Sequence, residues 1–187
     1  MKTTIYRTGQ MNVPIHHDYV LGHWAEFDAR RPEGQPSRSE VLFASPDLHG
    51  GHCWLYDGIL SSTRGHYDNA LFNEIVVESD KVRVYCIGDY NGVGEHRGNP
   101  TSEQIIGINN YWQNSKTLTE WVQKVDGDWY GGWEILLPES EVISSRTVTY
   151  AELGEMYKEQ GLGDYKLGEL DEIQMALENG KASLIAA

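Results

Sequence analysis

The stretch EVLFASPDLHGGHCWLYDGIL, residues 40–60, carries the clearest local structural signal in the chain. Residues 41–44 are apolar without a break, which predicts a buried strand. Ser45 is a good helix N-cap, with Pro46 at the first helical position and Asp47 in the first turn. The mostly apolar positions that follow recur at helical spacing: Leu48, His52, Leu55, Tyr56, Ile59 and Leu60. The sequence therefore predicts a strand that leads directly into a helix.

Further strands are predicted on both sides of this unit. Residues 3–8 alternate in polarity and end at Gly9, which predicts a first strand. Four later segments are rich in β-branched and aromatic residues: ALFNEIVVESD (70–80), KVRVYCIG (81–88), GWEILLP (132–138) and EVISSRTVTY (141–150). A link at residues 79–81 predicts that the first two of these form a hairpin or neighbouring strands. RRPEGQPSRS (30–39) predicts an exposed loop.

Two helices are predicted after residue 146. In TYAELGEMYKEQG (149–161), Thr149 and Glu152 form a capping box and Gly161 ends the helix. LDEIQMALENG (170–180) repeats the pattern, with Gly180 as its end. We therefore expect a single α+β fold, in which residues 1–146 form a mixed or antiparallel β core with helices. Residues 147–187 form a two-helix C-terminal extension packed on the same domain.

Composition restricts the class of protein. The chain has 187 residues, 40% of them hydrophobic, which suits one globular core. Its formal net charge of −13 argues against direct nucleic-acid binding, because phosphate recognition uses clustered Lys and Arg. A strongly acidic surface can also bind a basic protein partner, and solubility is the simpler reading of the same charge. No apolar run approaches the roughly 20 residues that span a bilayer, and the first residues lack a secretory pattern. We therefore expect a cytoplasmic protein, without membrane association, whose two cysteines are reduced.

A metal site is not expected. His49, His52 and Cys53 lie close together in the sequence, and four other histidines lie elsewhere. Structural zinc sites usually show two close pairs of ligands at regular spacing, and this chain lacks them.

Glu134 and Arg7 are the two charged residues that the strand pattern singles out. Glu134 lies inside the apolar segment GWEILLP, and a buried carboxylate must reach water, a partner or a ligand. Arg7 lies at the end of the first strand, where a guanidinium can bind phosphate or a ribose. Simpler readings stay open for both: Arg7 as an exposed strand-end residue, and Glu134 facing solvent while its neighbours face the core.

The order of four motifs resembles that of the ADP-ribosyltransferase fold. These motifs are IYRTG (5–9), VLFASPDLHGGHCWLYDG (41–58), NEIVVESDKVRVYCIG (73–88) and GWEILLPESEVI (132–143). The resemblance covers roughly residues 3–145 and implies a β core of ADP-ribosyltransferase type that uses NAD as a substrate. The two C-terminal helices lie outside it.

The resemblance also implies a set of site residues. Glu134 would be the catalytic carboxylate, opposing the positive charge that develops when the bond between nicotinamide and ribose breaks. Arg7 would hold NAD, with Thr8 and Gly9 allowing close backbone approach. Ser45 would face the nicotinamide ribose, and the nicotinamide would stack on Tyr56 or Trp54.

Two functions are therefore carried forward. The first is an NAD-dependent ADP-ribosyltransferase that modifies a macromolecular target, with the acceptor open. In the family that the chain resembles, members that modify arginine have an acidic or amide residue two positions before the catalytic Glu. This chain has Gly132 at that position. The second is a non-catalytic acidic interaction protein, for example a phage-type inhibitor of a host nucleic-acid-handling defence complex. Both functions imply a protein target.

Overall fold

The structure is a computed structural model, and it describes residues 1–11, 25–61, 70–90, 100–121 and 132–185. Within those ranges the strands are β1 (Lys2–Thr8), β2 (Leu42–Ala44), β3 (Phe72–Glu78), β4 (Arg83–Cys86), β5 (Lys116–Thr117), β6 (Trp133–Leu137) and β7 (Ser144–Val148). The helices are α1 (Leu48–Tyr56), α2 (Ser102–Gln113), α3 (Tyr150–Glu159) and α4 (Gly163–Ile185), and residues 25–28 are also helical. The mixed α+β class expected from the sequence is confirmed.

The strands form two antiparallel sheets. The first sheet has the order β1-β3-β7, and the second has the order β2-β6-β4-β5. An isolated bridge between Tyr6 and Ser45 joins β1 to the residue that follows β2. This bridge connects the two sheets beside the strand-to-helix unit of residues 40–60.

The core has three parts because side chains alternate across each strand. The inter-sheet core lies between the two sheets and contains Ile5, Leu42, Ala44, Ile75, Val77, Val84, Ile135 and Leu137. The helix-side core covers the other face of the first sheet, where Tyr6, Phe72 and Val148 meet apolar residues of α1, α3 and α4. The aromatic core covers the other face of the second sheet, where Phe43, Tyr85 and Leu136 meet Phe27 and residues of α2.

The C-terminal helices belong to this core. Leu153, Tyr157 and Ile173 are fully buried in the helix-side core together with Phe72. Strand β7 continues through residue 148 and passes directly into α3 at Thr149, which forms the expected capping box with Glu152. The boundary expected at residue 146 therefore falls inside a strand of the first sheet.

Several local expectations need correction. Segments 70–80 and 81–88 do not form a hairpin: β3 and β4 belong to different sheets, and Val77 and Val84 both face the inter-sheet core. The N-cap of α1 is Asp47 rather than Ser45, because the Asp47 carboxylate accepts the Gly50 amide at 2.6 Å. Gly180 does not end the last helix, which continues to Ile185.

Helix α2 was not predicted, because several amides, a glycine and Glu103 interrupt its apolar pattern. Its one clear sequence signal is a capping box formed by Thr101 and Gln104. Across the described ranges, none of the helices has the length and apolar content to cross a bilayer.

Candidate functional site

Glu134 lies at the start of β6 and is 4% exposed. Its Oε1 accepts hydrogen bonds from Nη1 of Arg38 and, at 2.8 Å, from the hydroxyl of Tyr111 on α2. Arg38 Nη1 also donates to the Tyr111 hydroxyl oxygen. The carboxylate is therefore satisfied inside the protein by a cation and a phenol.

Arg38 is held in place by aromatic rings and by its own loop. Its guanidinium carbon lies 4.8 Å from the ring centroids of both Phe27 and Phe43, a cation–π geometry that favours a buried cation. The backbone amide of Arg38 donates to the carboxylate of Asp28 at 3.0 Å. The loop predicted to be exposed is therefore only partly so: Arg31 and Glu33 are exposed, whereas Arg38 is buried.

Arg7 is also 4% exposed, and among the described residues its guanidinium donates to backbone carbonyls. Nη1 donates to the carbonyl of Phe43 at 2.7 Å, and Nη2 donates to the carbonyl of Gln10 at 3.2 Å. Burial lowers the pKa of Arg7 to about 10, so the group stays charged near neutral pH. The bond to Phe43 attaches the end of β1 to β2, next to the bridge between Tyr6 and Ser45.

Arg7 and Glu134 lie on different sheets and point toward different parts of the core. Along β1, Arg7 lies two residues after Ile5, so its side chain points to the same side of the sheet, toward the inter-sheet core. Along β6, Glu134 lies two residues before Leu136, so its side chain points to the same side of the sheet, toward the aromatic core. These directions do not favour the expected pairing of Arg7 with Glu134 across a ligand, which stays a prediction.

The other residues implied by the resemblance are engaged in local structure. The hydroxyl of Ser45 donates to the carbonyl of Asp47 at 2.9 Å. Thr8 is half-buried at the end of β1. Gly9 has a φ of 88°, which favours glycine, and its amide donates to the carbonyl of Leu71 at 2.8 Å.

The two candidate stacking residues are separated by the packing of α1. Trp54 packs against the aromatic core, whereas Tyr56 packs against the helix-side core. Tyr56 also donates from its hydroxyl to the carboxylate of Glu172 at 3.2 Å. The structure therefore does not place the two rings on one common surface.

A buried polar network that sequence reasoning missed connects α1 to both C-terminal helices. His52 is 0% exposed; its Nδ1 lies 2.7 Å from the Tyr157 hydroxyl and its Nε2 lies 2.7 Å from Oε2 of Glu169. Lys166 donates to the same carboxylate oxygen at 2.7 Å. Burial lowers the pKa of His52, which favours the neutral ring. In the neutral ring, Nε2–H then donates a hydrogen bond to Glu169, and Nδ1 accepts a hydrogen bond from the Tyr157 hydroxyl.

The thiols show no sign of activation. Burial raises the pKa of both Cys53 and Cys86, so both stay protonated near neutral pH. Cys53 Sγ lies 3.7 Å from Nε2 of His49. In the part of the chain that the structure describes, no group of three or more His, Cys, Asp or Glu side chains is arranged to hold a metal. His16, His17, His23 and His66 lie outside that part.

The outward faces of α3 and α4 are strongly acidic. We call the exposed carboxylates of these helices the acidic helical surface: Glu152, Glu155, Glu159, Asp164, Asp171, Glu172 and Glu178. Among the described side chains of α3 and α4, Lys158 is the one exposed cation. Residues 150–180 hold eight carboxylates and two lysines, a net charge of −6 out of −13 for the chain. Nearly half of the net charge therefore lies on two adjacent helices.

The chain matches no protein-family model, no curated protein and no solved structure.

Proposed function

We propose that this chain is a non-catalytic binding protein whose acidic helical surface engages a basic protein. The observation that carries the proposal is the charge of α3 and α4, which expose seven carboxylates and one lysine among their described side chains. An excess of one sign on one surface attracts a partner of the opposite sign and speeds its association.

The residues that the ADP-ribosyltransferase resemblance assigns to chemistry have structural partners that favour this proposal. A carboxylate that stabilises an oxocarbenium-like centre must touch the ribose. Glu134 instead contacts Arg38 and Tyr111 beneath α2. NAD-dependent transfer stays a prediction of the resemblance, and the experiment below tests it on the same preparation.

The partner class follows from the chemistry of the surface. Nucleic-acid-binding proteins carry clusters of Lys and Arg that neutralise phosphates. The same Lys and Arg clusters attract a dense set of carboxylates such as the acidic helical surface. On this proposal the chain binds the cationic surface of such a protein, competes with its nucleic acid, and acts as an inhibitor of nucleic-acid handling.

The proposal is tested with a panel of purified nucleic-acid-binding proteins whose isoelectric points exceed about 9. We expect co-elution with at least one of them in size-exclusion chromatography at low salt, weakened by added salt. A variant with Glu155→Gln, Glu159→Gln, Asp171→Asn and Glu178→Gln should lose the complex. The matched control carries Glu33→Gln, Glu40→Gln, Glu103→Gln and Glu139→Gln, four exposed positions outside α3 and α4. It has the same net charge and should retain the complex.

Either of two kinds of result would overturn the proposal. One is the absence of binding across the panel at low salt, or equal losses in both variants, which would mean that the acidic helical surface has no special role. The other is release of nicotinamide from NAD by the intact protein and its loss in Glu134→Gln that remains folded. That second result would support the enzyme instead.

A further inference from the structure

We infer that the outer face of α4 is the docking surface, and that its occupant is a basic amphipathic helix of the partner protein. This inference rests on the proposed function and deepens it by naming the face and the shape of the ligand. The outer face consists of Asp164, Tyr165, Gly168, Asp171, Glu172, Met175 and Glu178, opposite the residues that α4 buries, Leu170, Ile173 and Leu177.

The carboxylates of this face have a regular period. Asp164, Asp171 and Glu178 are spaced seven residues apart. At 1.5 Å per residue, they form a column along the helix with a step of about 10.5 Å. A second helix packed at a small angle presents its own residues at the same seven-residue interval. Lysines or arginines at that interval on a partner helix would therefore meet all three carboxylates.

Apolar groups lie beside the column. Tyr165 is 73% exposed and Met175 is 55% exposed, in contrast to the buried Leu170, Ile173 and Leu177 of the same helix. Tyr and Met are enriched at protein interfaces, where they contribute contact area that adapts to the partner. The face thus offers the partner both charge and apolar contact.

Gly168 lies between these two residues on the same face. A Cβ built at Gly168 would meet no atom within 4 Å, so packing inside the protein does not require glycine there. Glycine inside a helix costs roughly 0.5–1 kcal/mol relative to alanine. The fold itself does not need glycine at position 168. Its presence is explained by a shallow gap that allows a partner helix to approach closely.

Charge selects this occupant over the alternatives. A second copy of the chain would bring the same carboxylate columns together, and like charges opposed at an interface are unfavourable. Nucleic acid and anionic membranes carry the same sign as the face. A basic helix is favoured by the charge, the seven-residue period and the apolar contacts together.

The test uses a synthetic helix-forming peptide of about 21 residues, with Lys at seven-residue intervals flanked by Leu. A peptide of the same composition in scrambled order is its control. Fluorescence anisotropy at low salt should show that the patterned peptide binds about tenfold more tightly than the scrambled one. Asp171→Asn with Glu178→Gln should weaken the patterned peptide by about tenfold, whereas Glu33→Gln with Glu103→Gln should change its binding less than about twofold.

A steric variant separates this face from charge in general. Gly168→Gln adds a neutral side chain into open space and should improve helix propensity, so the protein should fold while the peptide is excluded. Ala151→Gln, at an exposed position of α3, is the matched control and should bind normally. Thermal unfolding of each variant confirms that it is folded.

The possible outcomes test the docking face on α4 separately from the proposed binding of a basic protein. Equal binding of patterned and scrambled peptides, or full binding by Gly168→Gln, overturns the docking face. If a protein of the basic panel still binds in that case, the proposed function stands on another part of the surface. If neither the peptides nor any protein of the panel binds, both the docking face and the proposed function are overturned. A dimer of the intact chain in light scattering that Gly168→Gln abolishes would assign the face to self-association and would also overturn the inference.

Discussion

Arg38 and Glu134, 96 residues apart in the sequence, form an ion pair that is buried beneath helix α2. The pair joins the loop before β2 to the start of β6, and Tyr111 donates to the same carboxylate oxygen. Its position explains how a strand with a buried face accommodates an acidic residue: the counterion comes from a loop far away in sequence.

Replacing Glu134 with Gln should destabilise the fold. The change leaves the Arg38 cation buried without its counterion, and breaking a buried pair from one side costs about 3 kcal/mol. Urea unfolding measures the loss. The double variant Arg38→Met with Glu134→Leu is the control, since it removes both charges and should recover much of the stability. An unchanged unfolding free energy in Glu134→Gln would contradict a structural role for the pair.

Two glycine-to-alanine changes should have opposite effects on stability. A Cβ at Gly51 would lie 2.9 Å from the Cβ of Tyr6 and 3.1 Å from Cζ of Phe72, whereas one at Gly168 meets nothing within 4 Å. Gly51→Ala should therefore destabilise by about 1–3 kcal/mol through overpacking. Gly168→Ala should stabilise by about 0.5–1 kcal/mol. Denaturant titration of both variants tests the close packing of α1 on the first sheet.

Stability should fall as the pH drops below neutrality. Burial lowers the pKa of His52 from 6.5, so the folded state favours the neutral ring. The stabilisation is fully present above the unfolded value of 6.5 and declines as the pH falls through the lower folded value. The groups close to the ring are Tyr157, Lys166, Glu169 and His49.

The measurement for this prediction is the unfolding temperature between about pH 7.5 and pH 5.5, a range that brackets the ordinary histidine pKa. We expect His52→Gln to be less stable at neutral pH but to show a weaker dependence on pH over that range. Equal pH dependence in the two proteins would show that another group titrates.

Asp47→Ala should cost about 1 kcal/mol, because it removes the side-chain acceptor at the start of α1. Asp47→Asn keeps an acceptor and should retain most of the stability. Thermal unfolding of the two variants distinguishes the cap from a general effect of lost charge. Equal losses in both would indicate that the hydrogen bond to Gly50 contributes little.

Local signals in the sequence predicted local structure well. The apolar run at residues 41–44, the helical spacing after Pro46 and the capping box at Thr149 each act within a few residues. Helix α1 nevertheless begins at Leu48, because the Asp47 carboxylate reaches the Gly50 amide. Both Ser45 and Asp47 are suitable cap residues, and only the path of the backbone decides between them.

The candidate site was much harder to predict. The segment around Arg38 is rich in Pro, Ser and charge, which is typical of an exposed loop. Its burial depends on Phe27, Phe43 and Tyr111, which the fold brings together from three separate segments. The pattern also gave no information on where Glu134 would point relative to Arg7, because that depends on how the two sheets are arranged around the bridge between Tyr6 and Ser45.

Strand β7 runs without interruption into α3, and the two last helices cover Tyr6, Phe72 and Val148. A chain shortened at residue 146 would lose both the end of an edge strand and this covering layer. Its aromatic side chains would then face water beside unpaired backbone groups, a combination that promotes aggregation. Solubility of the protein therefore depends on an intact C-terminal region, irrespective of what that region binds.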